Sequence, residues 1–137
     1  MERVLVLKRV ALFRYLPLDT LLAISRVLER RQYLDRDTIL EPGARWDHFC
    51  IVESGAVEVF APGAATERLI APAFFGELIL ADESVRSPRV VAAGDSALLR
   101  LHRIVFQDLS RDHPDMLMEL CKLLARRLRH KEGEAPA

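Results

Sequence analysis

The sequence is poor in the features that mark disulfide frameworks, redox centres and membrane spans. Only two of its 137 residues are cysteines, and Cys50 and Cys121 lie too far apart to form a C-x-x-C pair. Such cysteines are typical of buried, reduced thiols. No apolar run approaches the ~20 residues that a transmembrane helix requires, and charged residues interrupt residues 1–10 too early for a signal peptide. We therefore expect a soluble, cytoplasmic chain.

The sequence also lacks an excess of charge of either sign. Twenty Lys and Arg residues balance twenty Asp and Glu residues, so no global field attracts nucleic acid or a membrane surface. A basic cluster occupies residues 126–131, but cations at the end of a helix commonly offset its negative dipole. We therefore predict that this chain by itself binds neither nucleic acid nor membrane.

Motifs for metal binding and catalysis are missing as well. The four histidines are dispersed and show no H-E-x-x-H spacing, and there is no G-x-S-x-G or Walker lysine. Glu77, Asp82 and Glu83 lie in a turn-rich segment that is typical of a ligand cradle rather than of an acid/base pair. The sequence therefore predicts neither a metal site nor catalytic residues, and the protein is not expected to be an enzyme.

Between residues 32 and 102, turn signals separate many short runs of strand-forming residues. The runs cover residues 32–34, 38–40, 49–52, 57–60, 68–70, 89–92 and 97–102. The segments between them read Asp-Arg-Asp, Glu-Pro-Gly, Glu-Ser-Gly and Ala-Pro-Gly, which are typical of turns. Many short strands at this spacing indicate a sandwich or a barrel.

Helical periodicity flanks the β-rich region on both sides. We predict helices over residues 2–10 and from 18 to about 31, and after the β-rich region over residues 104–109. A last helix, capped by Asp112 or His113, ends at Gly133. Its apolar stripe comprises Leu117, Leu120, Cys121, Leu124 and Leu128. The chain thus divides into N-terminal helices (1–31), a β region (32–103), C-terminal helices (104–131) and a disordered tail (132–137).

Residues 74–92 concentrate the residue types that bind small anions. Gly76 allows a close approach to the backbone, and Glu77 follows it. The N–H groups at the start of a helical turn over residues 78–81 can cradle an anion. Nine residues after Glu77, Arg86 offers a planar fork of donors suited to a phosphate, and Ser87 adds a hydroxyl and an N–H. The combination predicts a site for a small anionic ligand that carries a hydroxyl group.

This segment resembles the phosphate-binding cassette of cyclic nucleotide-binding domains, the modules of cAMP-dependent kinase regulatory subunits and of catabolite-activator-type regulators. Phe-Gly-Glu-Leu at 75–78 followed by Arg86-Ser87 matches the family pattern. The run from Phe49 to Val59 is similar to the family's strand pair. The sequence departs from the pattern at Pro88 and Arg89. Arg36 stands where the family usually has glycine, which predicts a rebuilt or mildly strained turn.

The resemblance implies a fold and a function. It implies one domain over residues 1–137, mainly β, with an antiparallel β-roll (jelly roll) of about eight strands, N-terminal helices and a C-terminal helical pair. It also implies reversible binding of cAMP or a similar cyclic nucleotide, without turnover. The C-terminal helix would close over the base and report occupancy to an output domain or a homodimer partner.

The resemblance also implies roles for individual residues. Arg86 would neutralise the cyclic phosphate, with help from the N–H groups of Gly76, Leu78 and Ser87. Glu77 would accept a hydrogen bond from the ribose 2′-hydroxyl. Two further side chains would line an apolar pocket, namely Val90 and Leu69.

Pro88 and Arg89 leave alternatives open. Pro88 has no N–H, so the strand after Ser87 should be an edge strand or carry a bulge, with Arg89 directed into the pocket mouth or out to solvent. Arg89 offers no acceptor to the guanine amino group, which favours cAMP. One alternative is a degenerate module that binds no nucleotide and serves as a docking or dimerisation domain. Another is the detached sensor half of a DNA-binding regulator.

Overall fold

The computed structural model describes residues 2–133, and these form two compact units. The first unit combines the described residues up to Arg26 with those from Asp108 onward, and the second is Val27–Gln107. The elements in chain order are α1 (Glu2–Leu7), α2 (Leu18–Val27), β1 (Glu29–Tyr33), β2 (Thr38–Leu40), β3 (His48–Ser54), β4 (Ala56–Phe60), β5 (Glu67–Ile70), β6 (Ala73–Phe75), α3 (Leu78–Ala81), β7 (Arg89–Ala92), β8 (Ser96–His102), α4 (Arg103–Asp112) and α5 (Asp115–Gly133).

The first unit is helical, and two polar contacts cross it. The Thr20 hydroxyl lies 2.9 Å from His113 Nδ1, and the Arg3 guanidinium donates to the Ser25 carbonyl oxygen at 3.1 Å. These polar contacts join segments that are distant in the sequence. Apolar side chains buried in this unit include Val4, Leu7, Val10, Leu12, Phe13, Leu16, Leu21, Ile24, Met116, Leu120 and Leu123.

The buried face of α5 differs from the predicted stripe. Leu120 is buried as predicted, but Leu117 is 46% exposed, Leu128 is 59% exposed and Cys121 is also exposed. The helix instead buries Met116 and, at helical spacing, Leu120 and Leu123. The sequence of α5 contains apolar residues on more than one face, so periodicity alone does not select the face that packs.

The second unit contains two four-stranded antiparallel sheets, with orders β1-β8-β3-β6 and β2-β7-β4-β5, together with α3 and the start of α4. Eight antiparallel strands with flanking helices confirm the predicted fold class. The three residues of β6, which were not among the predicted strands, pair with β3. Side chains buried in the first of these sheets include Phe49, Ile51, Leu99 and Leu101.

The second predicted helix ends earlier than expected. The prediction extended it to about residue 31, but α2 ends at Val27 and residues 29–31 belong to β1. This strand pairs along its whole length with β8, from Glu29 opposite Arg100 to Tyr33 opposite Ser96. The hydrogen bonds of that ladder outweigh the helix propensity of the local sequence, which is a weak preference.

Two predictions about the backbone, one for the turn at Arg36 and one for the strand after Pro88, can be compared with the structure. Arg36 has φ of 69°, which confirms the strained turn at the position where the family usually has glycine. The strand after Pro88 is not an edge strand, because β7 lies between β2 and β4. It does carry an irregularity, since its register with β2 shifts between Thr38 and Leu40.

The two cysteines have different environments. Cys50 is buried in β3, and burial raises the pKa of its thiol to about 12, so it stays protonated at neutral pH. The prediction of burial is wrong for Cys121. Within residues 2–133 no helix has the length and hydropathy needed to cross a membrane. Of the tail predicted to be disordered, residues 132–133 end α5 and residues 134–137 lie outside the described residues.

Candidate ligand-binding site

Gly76 connects β6 to the short helix α3 and passes very close to Trp46 and to the backbone of His48. Its φ is +92°, and a Cβ atom at this position would lie 2.7 Å from Trp46 Cζ2 and 3.0 Å from the His48 carbonyl oxygen. Real Cβ atoms do not approach other atoms so closely, and residues other than glycine rarely adopt this φ. Glycine is therefore required here by backbone conformation and by space together.

Glu77 and Leu78 stand at the start of α3. Glu77 is only 4% exposed, whereas Leu78 is 48% exposed. The N–H groups of Ile79 and Leu80 donate to the Gly76 and Glu77 carbonyl oxygens, both at 3.3 Å. This turn holds a buried carboxylate beside a glycine, at the position where the sequence predicted the ligand hydroxyl to bind.

Arg86 follows the loop that leaves α3. In that loop the Asp82 carboxylate accepts hydrogen bonds from the Ser84 N–H at 2.9 Å and from its hydroxyl at 2.6 Å. These bonds lower the pKa of Asp82. Arg86 forms an isolated antiparallel bridge with Arg45. Its side chain is exposed, and none of the acidic side chains in the described part of the chain forms an ion pair with it. The guanidinium is therefore available to an external anion.

Ser87 anchors the segment to the loop before β3. Its N–H donates to the Ala44 carbonyl oxygen at 3.0 Å, and its own carbonyl oxygen accepts from the Gly43 N–H at 2.8 Å. Its hydroxyl donates to the Glu41 carbonyl oxygen. The polar groups of Ser87 are therefore engaged within the protein, and a ligand contact to them would have to replace these bonds.

Arg89 lies on a different face of the sheet from Val90. Successive side chains of a strand point to opposite faces, and in β7 Val90 is fully buried whereas Arg89 is exposed. The Arg89 guanidinium lies over the Phe60 ring, 5.2 Å from its centroid, and lines an outer cavity of about 580 Å³. The structure thus does not bring Arg89 together with Val90, and the predicted role of Arg89 in base choice gains no support from this placement.

Leu69 shares the inner face of the sheet with Val90. Leu69 pairs with Val57, which in turn pairs with Ala92, and Ala92 lies two residues from Val90 on the same side of β7. Val57, Val90 and Ala92 are all buried, and Leu69 is half-buried. The two side chains that were predicted to line an apolar pocket therefore lie on one apolar surface.

A charged network that the sequence did not predict ties the loop at residues 82–85 to the start of α4. Arg103 is only 7% exposed. Its guanidinium lies 3.1 Å from a Glu83 oxygen and 3.5 Å from an Asp47 oxygen. Asp47 also accepts a hydrogen bond from Arg45 Nε at 3.2 Å. Nothing in the local sequence marks Arg103 as a partner of Asp47 or Glu83, because it is distant from both along the chain.

The pKa of Asp47 reflects this network. Burial alone would raise the pKa, but the hydrogen bond and charge of Arg45, together with the Arg103 guanidinium, hold it below its usual value. A carboxyl group with a lowered folded-state pKa stabilises the protein above its unfolded-state pKa of about 3.8. That contribution is lost as the pH falls through the lower, folded-state value.

No group of three or more His, Cys, Asp or Glu side chains that could hold a metal ion occurs within the described residues. His48 and His102 do contact each other edge to face, with ring centroids 5.0 Å apart. Burial, more than the nearby Arg100, lowers the pKa of His48, so its imidazole is neutral at pH 7. Both histidines belong to the second unit and lie outside residues 76–87, where the candidate site is.

Comparison with known proteins gives consistent matches. A family model described as cyclic nucleotide-binding domain matches residues 30–113. The Cyclic AMP receptor protein of Thermus thermophilus is 36% identical over 123 residues, which cover 86% of this chain and 56% of that protein. The cGMP-dependent protein kinase, isozyme 2 forms cD5/T2, of Drosophila melanogaster is 34% identical over 111 residues, which cover 75% of this chain and 12% of the kinase.

A solved structure matches as well. The crystal structure of the Thermus thermophilus catabolite activator protein superposes with a TM-score of 0.77 at 34% identity, and the match covers 90% of this chain and 61% of that one. In each of these comparisons the chain spans less than two thirds of its relative.

Proposed function

The chain belongs to the cyclic nucleotide-binding domain family, and we propose that its residues 74–92 bind cAMP reversibly and without turnover. The observation that carries this proposal is that one segment contains both a buried Glu77 and an exposed Arg86 whose guanidinium no described acidic side chain neutralises. A cyclic nucleotide requires both, because it presents a phosphate anion and a ribose hydroxyl. Its phosphate would also gain from the N–H groups at the start of α3.

The apolar inner face of the second sheet supports adenine as the base. Val57, Val90 and Leu69 offer no hydrogen-bond partners to a base. Guanine carries more hydrogen-bonding groups than adenine, so burial against this face would leave more of them unsatisfied. The relatives include both a protein named for cyclic AMP and a kinase named for cGMP, so base choice must be measured directly.

Isothermal titration calorimetry with cAMP and cGMP tests the function. We expect saturable binding of one nucleotide per chain, with cAMP about tenfold tighter than cGMP, which corresponds to about 1.4 kcal/mol. A preference for cGMP would overturn the proposed base choice. The absence of binding to either nucleotide would favour the alternative of a docking or dimerisation module. The engagement of Ser87 with residues 41–44 is the observation that favours this alternative.

A second measurement isolates the role of Glu77. A buried carboxylate that faces a missing hydroxyl loses a hydrogen bond at a cost of about 1–3 kcal/mol. We therefore expect 2′-deoxy-cAMP to bind the wild-type protein about tenfold more weakly than cAMP. Glu77→Gln should narrow that difference, because an amide loses less than a carboxylate when its partner is absent. Equal affinity of the wild type for both sugars would contradict the role of Glu77.

We also propose that occupancy is relayed through the C-terminal helix α5. A ligand shifts a conformational equilibrium only if it binds one state more tightly than the other. Ligand binding should therefore change amide hydrogen exchange in residues 115–133. Identical exchange with and without saturating cAMP would exclude the relay.

A further inference from the structure

Trp46 is the side chain that comes closest to Gly76. A Cβ atom on Gly76 would lie 2.7 Å from Trp46 Cζ2 and 3.2 Å from its Cε2. The same indole packs against Phe75, with ring centroids 6.2 Å apart and planes inclined by 34°. Trp46 is 7% exposed and is the chain's single tryptophan. One buried ring therefore contacts the two residues that lead into Glu77.

The indole and the backbone of β3 border the same side of Gly76, which is the side on which a Cβ atom would project. The His48 carbonyl oxygen would lie 3.0 Å from this Cβ position. We call the narrow space between Gly76 and these two groups the slot. Strand pairing fixes the backbone of β3, so the volume of residue 46 is the part of the slot that a substitution can change.

Packing, and not hydrogen bonding, holds the indole in place. Trp46 Nε1 is buried and has no hydrogen-bond partner among the described residues. Beside it lies a cavity of about 260 Å³, whose lining also includes Tyr33, Cys50 and Arg100. A smaller side chain at position 46 would join this space to the slot and free the Gly76 peptide to move. Phenylalanine would keep most of the ring and would lose no hydrogen bond.

We propose that Trp46 is a positioning residue of the nucleotide site. Its indole sets the path of the Gly76 backbone and so directs the buried Glu77 carboxylate at the ribose hydroxyl. The proposal rests on the proposed function of Glu77. The packing of Trp46 on Gly76 is a separate observation and does not depend on that function. If Trp46 acts in this way, its loss should reduce the discrimination between sugars and not only the stability of the fold.

The first experiment compares binding of cAMP and 2′-deoxy-cAMP to variants of residue 46 by calorimetry. Trp46→Leu is expected to reduce the affinity ratio of the two nucleotides at least about threefold, whereas Trp46→Phe should keep it within about twofold of the wild type. Phe49→Leu is the matched control, because its fully buried ring lies in the same sheet and contacts Phe74, with ring centroids 5.6 Å apart. It should lower the melting temperature and leave the ratio unchanged. An unchanged ratio in Trp46→Leu would overturn the positioning role.

The second experiment tests the packing without any ligand. Gly76→Ala is introduced into the wild type and into Trp46→Leu, and the melting temperatures of the four proteins form a double-mutant cycle. The strain of a positive φ is present in both backgrounds, so it cancels. The alanine should lower the melting temperature less in Trp46→Leu, because the contact with Cζ2 is gone. If Trp46→Leu does not melt cooperatively, Trp46→Met takes its place in both experiments.

The two experiments fail in different ways. Equal effects of Gly76→Ala in both backgrounds would overturn the packing on which the inference rests. Absence of cAMP binding by the wild type would overturn the proposed function and, with it, the proposed discrimination between cAMP and 2′-deoxy-cAMP. The melting temperatures would still decide whether Trp46 constrains Gly76. Normal cAMP binding with an unchanged ratio in Trp46→Leu would overturn only the positioning role.

Discussion

Arg86→Ala is expected to weaken cAMP binding by about 30-fold or more, because removal of one member of a desolvated charge pair costs about 2–5 kcal/mol. The exposed Arg86 guanidinium forms no ion pair with the described acidic side chains, so its loss removes no internal partner. The melting temperature of the free protein should therefore stay close to that of the wild type. Calorimetry measures the affinity, and a thermal melt of the same sample measures the stability.

Arg89→Ala is the matched control for this prediction. It removes the same side chain from the same segment, but from the outer face of the sheet beside Phe60. We expect its affinity for cAMP to remain within about twofold of the wild type. Arg86→Lys separates charge from geometry, because lysine keeps the charge and loses the planar fork. An affinity of Arg86→Ala within threefold of the wild type, or an equal loss in Arg89→Ala, would show that the anion binds elsewhere.

Gly55→Ala is expected to cause the largest loss of stability among the glycine substitutions. Gly55 has φ of +80°, and its Cβ would lie 2.4 Å from Ser96 Oγ and 2.5 Å from the Asp95 carbonyl oxygen. Ser96 cannot move away easily, because its hydroxyl bonds to the carbonyl oxygen and N–H of Ala56 at 2.9 and 3.1 Å. A positive φ alone costs about 1–2 kcal/mol, and overpacking adds about 1–3 kcal/mol. The melting temperature should fall by roughly 10 °C or more.

Gly63→Ala provides the comparison for backbone strain alone. Gly63 also has a positive φ, of +72°, but no atom lies within 4 Å of the position of its Cβ. Its substitution should therefore cost only the conformational term of about 1–2 kcal/mol. Thermal melts of both variants check the difference. If Gly55→Ala loses no more stability than Gly63→Ala, the turn between β3 and β4 does not pack closely on Ser96.

Local patterns in the sequence were sufficient to predict the class of fold and to identify residues 74–92 as the segment that carries the candidate site. Short runs of strand-forming residues between turn residues predicted a sandwich or a barrel, since strand propensity and turn chemistry act over a few neighbouring residues. The resemblance to the family then specified a β-roll. The spacing of Gly76, Glu77 and Arg86 predicted the candidate site, because all three lie within one short segment. The strained turn at Arg36, with its positive φ, was predicted from the resemblance, because the family usually has glycine at that position.

Long-range packing decided what these patterns left open. Residues 29–31 join β1 because β8 offers a ladder of hydrogen bonds, although their own sequence allows a helix. The face that α5 buries depends on its neighbours, so Leu117 and Cys121 are exposed. Arg89 points outward because Val90 and Ala92 are the residues of β7 that face the core. In each case the contact energy comes from residues distant in sequence.

The sequence by itself determined the family pattern, the class of fold and the residue types at the candidate site. Only the tertiary structure placed Trp46 against Gly76 and Arg103 against Glu83. The physical reason is that such contacts depend on how strands pair and on the close packing of their side chains. Trp46 lies 30 residues before Gly76. The pairing of β3 with β6 brings the two chain segments together.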